Sequence, residues 1–129
     1  MNNVAKTLRD YLLTQAGLMA LTGTRIYAEA NSPPAGYKPS DGGAVCFKAR
    51  GGRPDYVDVI VTPSMQFKCY GATELLANLV YAALYDALHN AQTNAIRGAR
   101  CEILGTTLAE PETGWPFVLT FFRVPIANP

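Results

Sequence analysis

Residues able to do chemistry are few and widely spaced in this chain. One histidine, His89, and three cysteines, Cys46, Cys69 and Cys101, are the types best suited to nucleophilic catalysis or metal binding. Cysteine–histidine catalysis needs the imidazole beside a thiol, and nothing in the spacing brings His89 to one. The four together match a Cys₃His zinc set, but their wide intervals lack the short knuckle of structural zinc sites. A histidine in the last turn of a helix is already accounted for by the helix dipole. An odd number of cysteines without a Cys-x-x-Cys pair reads as reduced thiols, small apolar groups buried on strands.

The oxygen nucleophiles and acids are equally unpromising. Ser32, Ser40 and Ser64 fall in loop sequence without a Gly-x-Ser-x-Gly elbow. Glu110 and Glu112 flank Pro111 and read as solvated turn residues, and Asp55 and Asp58 are isolated. Gly51-Gly52 has neither the Lys-Ser/Thr of a phosphate loop nor a Gly-x-Gly-x-x-Gly pattern. The expectation is a protein that is not an enzyme, with no catalytic residue, cofactor or metal. Basic residues are the exception to this dispersal. Lys48, Arg50 and Arg53 climb one strand face towards a loop tip, and Arg97 and Arg100 follow the long helix. If they converge, they form a patch for weak, sequence-independent contact with DNA phosphates. Otherwise they are solvated charges partly paired with Asp55 and Asp58.

The elements that must position these residues belong to one domain, residues 1–129. The chain is 49% hydrophobic and 16% charged, with eleven Lys and Arg against ten Asp and Glu. A net charge of +1 excludes a nucleic-acid binder driven by bulk charge and suggests a surface built to associate. No apolar run approaches the roughly 20 residues that span a bilayer, and the N-terminus lacks the apolar core of a signal peptide. No membrane partner is expected.

Asn3 is a good cap for a first helix carrying Val4, Leu8, Tyr11 and Leu12 at helical spacing. Gly17 interrupts it, and a short apolar turn over 18–21 stops at Gly23. Residues 24–28 suit a short strand. The proline- and glycine-rich stretch 31–43 is a long loop. Strict alternation predicts strands at 45–50 and 65–70, with β-branched residues marking another at 57–62. Gly51–Asp55 reads as a turn, and Pro63 breaks or bulges the register. A helix is predicted from Thr73 to His89, with Leu76, Leu79, Val80, Ala83, Leu84, Ala87 and Leu88 forming a broad apolar stripe. It is capped by Thr73, with Glu74 complementing the dipole and Asn90 just past its end. Strands over Arg100–Glu110 and Trp115–Val124, joined by a Pro-Glu-Thr-Gly turn, close the chain.

This order predicts an α+β fold: an antiparallel sheet with two main helices packed on one face, in a single two-layer domain. The last strand sets a puzzle. Phe117, Leu119 and Phe121 lie on one side, and Val118, Phe122 and Val124 on the other. Helices can cover only one of these faces, so a partner chain is expected over the second.

The segment Leu8 to Leu13, continuing through Ala20-Leu21-Thr22-Gly23 and Arg25-Ile26-Tyr27, resembles the tail-completion or tail-terminator (neck) proteins of long-tailed bacteriophages. Pro33-Pro34 and Gly43-Ala44-Val45 fit the family's loop and following strand. So do Met65-Gln66-Phe67-Lys68-Cys69-Tyr70-Gly71 and the long helix after it. The resemblance implies a virion protein that forms a ring, usually a hexamer, assembled in the host cytoplasm. Such a ring caps the tail tube, ends its polymerisation and meets the head–tail connector, while DNA passes transiently through its lumen. It implies no catalytic residue and no cofactor. Within it, Phe117, Leu119, Phe121 and Phe122 are candidates for the subunit interface, and Lys48, Arg50 and Arg53 for a lumen or DNA-facing surface. The loops at 31–43 and 50–55 are candidate contact segments by placement. A rival reading from another class is a ferredoxin-like small-molecule or regulatory binding domain, with a pocket between sheet and helices.

Overall fold

In the computed structural model, residues 4–54 and 60–127 are described, with side chains omitted at 51–54 and 60–62. The first helix, α1 (Val4–Leu12), turns Ala5, Leu8 and Leu12 into the core at three- and four-residue spacing. The Leu18–Leu21 segment, expected as a turn, is a helix, α2 (Ala16–Thr22). Gly17, expected to interrupt the first helix, lies inside α2, and α1 has already ended at Leu12. Leu18 is buried, and Gly23 ends the helix at φ 55°, its N–H donating to the Met19 carbonyl. Glycine tolerates that positive φ without steric cost.

The sheet comprises β1 (Ile26–Ala28), β2 (Ala44–Pro54), β3 (Ile60–Tyr70), β4 (Arg100–Ala109), β5 (Pro116–Arg123) and β6 (Ile126–Ala127). Its order is β1-β2-β3-β5-β4, with β6 on β3. It is mixed rather than antiparallel, because β1 runs parallel to β2. Parallel neighbours require a long crossover, and the stretch between them, with one 3₁₀ turn at Pro39–Asp41, supplies it.

Two expectations about the central strands change. Gly51–Pro54 belong to β2 rather than to a turn, while Asp55 and Asp58 lie outside the described residues. Pro63 does not break the register: β3 runs from Ile60 to Tyr70, with Pro63 opposite Gly52. Proline is tolerated there because the other neighbour of β3 changes from β5, which pairs as far as Ser64, to β6, which begins at Val61. The irregularity falls on β2 instead, between Ala49 and Gly51.

The long helix, α3 (Glu74–Leu88), is capped as its sequence predicts. The Thr73 hydroxyl accepts the Leu76 N–H at 3.2 Å, Glu74 stands in the first turn, and Asn90 follows the end at φ 66°. Ala77, Val80, Leu84 and Leu88 are buried against the sheet. Three helices, not two, pack on this inner face. Leu8, Leu12 and Leu18 join the α3 residues over Val45, Phe47, Met65, Phe67, Val118 and Phe122.

A second, smaller core lies on the outer face, where Tyr37 closes over Ala44, Cys46, Tyr70 and Phe117. The chain's own crossover loop therefore covers part of the face expected to need a partner. Tyr37 is the anchor: its hydroxyl donates to the Gly42 carbonyl at 2.7 Å, and its ring meets Trp115 edge-on at 5.6 Å.

Candidate functional site

The outer face is the surface on which the sequence-predicted site residues meet. On β5, alternation sends Phe117, Leu119 and Phe121 outward and Val118, Thr120 and Phe122 inward. Phe117 is enclosed by Tyr70 at 5.3 Å, while Leu119 and Phe121 are half-buried and reach the surface. Phe122 does not join them. Its ring packs against Phe67 at 5.5 Å and Tyr85 at 6.2 Å, with 0% exposure, so it serves the monomer core and presents no surface to a neighbour.

The face has two ends. At the loop-covered end, the Tyr70 hydroxyl donates to the Glu110 carboxylate. Lys68 pairs with the same carboxylate at 3.7 Å and lies 5.0 Å from the Phe117 ring centroid. Burial first, and then this bond to Glu110, push the Tyr70 hydroxyl above its ordinary range. Burial also raises Tyr37, to about 12. A cleft of about 240 Å³ opens beside them, lined by Pro33, Pro34, Tyr37, Glu110, Glu112 and Trp115 among others. It lies between the proline-rich loop and the β4–β5 turn, not between sheet and helices as the small-molecule reading requires.

The opposite end is basic. The Arg50 guanidinium lies 4.1 Å over the Phe121 ring, and its Nε donates to Ser64 Oγ at 2.9 Å. Ser64 donates in turn to Glu102 Oε1 at 2.6 Å, and Arg123 reaches Glu102 Oε2 at 3.2 Å. The Ser64 hydrogen bond, seconded by Arg123, holds the Glu102 carboxyl below its ordinary value. Arg100 stands directly opposite Arg123 across β4 and β5, a like-charge pair that costs stability unless an anion answers it. Among the described residues, Arg100 has no ion-pair partner.

Of the basic residues singled out from sequence, Arg50 and Arg100 converge here, and Lys48 lies on the same face opposite Gln66. Arg53 continues β2 opposite Thr62, its side chain outside those described. Arg97 donates its backbone N–H to the Pro125 carbonyl. Arg123 and Glu102 were missed, and Ser64, expected in loop sequence, lies in β3 opposite Arg123. They are ordinary polar residues in their own strands, and only the cross-strand register makes them a group.

The four nucleophile and ligand candidates do not gather at one place, although His89, which the spacing left without a cysteine neighbour, meets the Cys101 backbone. Cys46 packs in the outer core and Cys69 in the inner one, on opposite faces of the sheet, so the Cys₃His set does not close. Burial pushes the Cys46 thiol up to about 12 and raises Cys69 further, which keeps both protonated and inert. His89 ends α3, where Nδ1 accepts the Cys101 N–H at 3.0 Å and the ring stacks on Tyr85 at 4.7 Å. Among the described residues, no group of three His, Cys, Asp or Glu is placed to hold a metal ion. No described helix is long and apolar enough to cross a membrane.

Sequence reasoning also missed the exposed aliphatic residues. Leu76 and Leu79, expected in the buried stripe of α3, are exposed together with Leu75. Edge strand β4 exposes Ile103, Leu104 and Leu108.

No protein-family model matches this sequence, and no curated protein matches it either. Among solved structures, the chain is similar in fold to a chain of the virion of a native gene transfer agent particle. The TM-score is 0.64 and the identity 18%, over 98% of this chain and 100% of that one.

Proposed function

We propose that this chain is a structural subunit of a phage-like virion. Within the virion, it forms the ring at the neck that caps the tail tube, ends its polymerisation and joins tail to head connector. The observation that carries the reading is the likeness to a gene transfer agent virion chain, which spans nearly the full length of both chains. Two features of the molecule agree with it. Cys46 and Cys69 are buried and held protonated, and the His89 Nδ1 is taken up by the Cys101 N–H. Among the described residues, six large aliphatic side chains stand exposed on a chain of net charge +1, as suits a surface consumed by neighbours. In this reading the partners are further copies of the chain in a hexameric ring, the tail tube protein and the connector. DNA passes by transiently, with Lys48, Arg50 and Arg53 as its contacts.

Purified full-length protein tests the ring by light scattering and negative-stain microscopy. Closed rings are expected. A chain that stays monomeric at every concentration, with or without tail tubes, would sink the reading and favour a small-molecule binding domain. The DNA contact is tested separately, by retention on duplex DNA in low salt and its loss in Arg50→Glu.

A further inference from the structure

A ring of identical subunits needs two different patches on each copy, placed so that both are used at once. This chain carries two such patches on opposite layers. The first is on α3. With Ala77, Val80, Leu84 and Leu88 turned inward, the positions Leu75, Leu79, Ala82 and Asp86 follow one another at four- and three-residue intervals along the outward side. Leu75 is 70% and Leu79 45% exposed, and Ala82 and Asp86 are exposed as well. The small Ala82 keeps the middle of this stripe low, so that a neighbouring surface can approach the helix closely. This helix carries the acids Glu74 and Asp86 and no basic residue.

The second patch is the uncovered half of the outer sheet face. Leu119 and Phe121 reach the surface there beside their neighbours on β4. Ile103, the cross-strand partner of Phe121, is 46% exposed, and Leu108, the partner of Phe117, is 43% exposed. Arg50, Arg100 and Arg123 stand at one end of this apolar strip, against the single carboxylate of Glu102.

We infer that the outward stripe of α3 in one copy packs on the outer sheet face of the next, Leu75 and Leu79 over Phe121, Leu119 and Ile103, with Asp86 answering Arg100 and Arg123. Three observations point to a second copy as the occupant. The patches match in kind, aliphatic against aliphatic and aromatic. They match in charge, an acidic helix against a basic sheet end. They lie on opposite layers of one domain, so occupying one leaves the other free. Arg123 already pairs with Glu102, whereas Arg100 has no ion-pair partner among the described residues and gains a counter-charge on assembly. This inference rests on the ring reading and names the surfaces that make the ring.

The test uses the full chain, with particle mass read by light scattering and folding read by circular dichroism. Leu75 and Leu79 are exposed, so Leu75→Lys/Leu79→Lys is expected to fold as the wild type does. It should run as a monomer at concentrations where the wild type is a ring. Asp86→Arg is expected to weaken assembly by roughly tenfold or more, as loss of a close interfacial charge pair does. Combining Asp86→Arg with Arg100→Asp and Arg123→Asp should restore much of it, which a merely structural role for these residues does not predict. Folded wild-type-sized rings from the lysine variant overturn the inference and leave the ring reading standing. So does a charge-swapped variant no better than its parents. Loss of duplex DNA retention in Arg100→Asp and Arg123→Asp, with particle mass unchanged, assigns those two residues to nucleic acid and likewise overturns it. A monomeric wild type instead removes the ring reading itself.

Discussion

The guanidinium of Arg50 lies 4.1 Å above the ring of Phe121. That contact joins two strands that are not neighbours, since β3 runs between β2 and β5. It also joins two groups of residues that sequence alone kept apart, a basic set on β2 and an apolar set on β5. One face of one sheet carries both.

The neighbours Phe121 and Phe122 should therefore respond differently to the same change. Phe122→Asp buries a carboxyl between Phe67 and Tyr85, and should cost about 4 kcal/mol or more, enough to unfold a marginal domain. Phe121→Asp, at a half-exposed site, should leave a folded protein, losing about 1 kcal/mol with the Arg50 stacking. Urea denaturation compares the two, and equal losses would contradict the placement of Phe122.

Gly105 should resist enlargement. A Cβ there would collide with Val118 Cγ1 and stand 2.9 Å from the Tyr81 ring. Its N–H donates to the Tyr81 hydroxyl at 3.0 Å, which ties irregular strand β4 to α3. Gly105→Ala should destabilise by about 1–3 kcal/mol, and Tyr81→Phe by about 1 kcal/mol through the lost acceptor. A thermal melt of Gly105→Ala matching the wild type would refute this.

Glu102 should make stability depend on acid pH. Its folded value lies below the ordinary 4.5, chiefly because Ser64 donates to the carboxylate. A depressed carboxyl contributes stability that is present above the unfolded value and lost as pH falls through the folded one. Unfolding measured from pH 6 downward should therefore weaken below about 4.5, and Glu102→Gln should flatten that part of the profile. A variant with the wild-type slope would remove Glu102 from the account.

The thiols should differ in reactivity. Cys46 and Cys69 are buried and held protonated, whereas Cys101 is only half-buried, at the start of edge strand β4. Iodoacetamide on native protein should label Cys101 first, with the other two labelled only in denaturant, as peptide mass spectrometry would read. Native labelling of Cys69 would show that the inner core opens.

Local chemistry made much of the fold legible. Thr73, Glu74 and Asn90 mark the ends of α3 because caps are decided within a turn by backbone groups that need partners. The alternation in β5 assigned each side chain to a face correctly, since strand period is a property of the backbone itself. Where the reading failed, a distant contact decided the outcome. Leu18–Leu21 became helix because Leu18 finds a core to enter. The Thr73–His89 periodicity, broad enough to include Leu76 and Leu79, did not say how much of it the sheet covers.

The residues by themselves determined an α+β fold, a capped helix and a last strand apolar on both faces. Tertiary structure alone decided what lies on that strand's outer face. Residues 29–43 carry the chain back to lay β1 parallel to β2, and on the way Tyr37 seals one end. Register then draws Arg50, Arg100 and Arg123, from three strands, to the other end. Neither result is written in any short window of sequence, because crossover path and register are set by which faces can be buried together over the whole sheet.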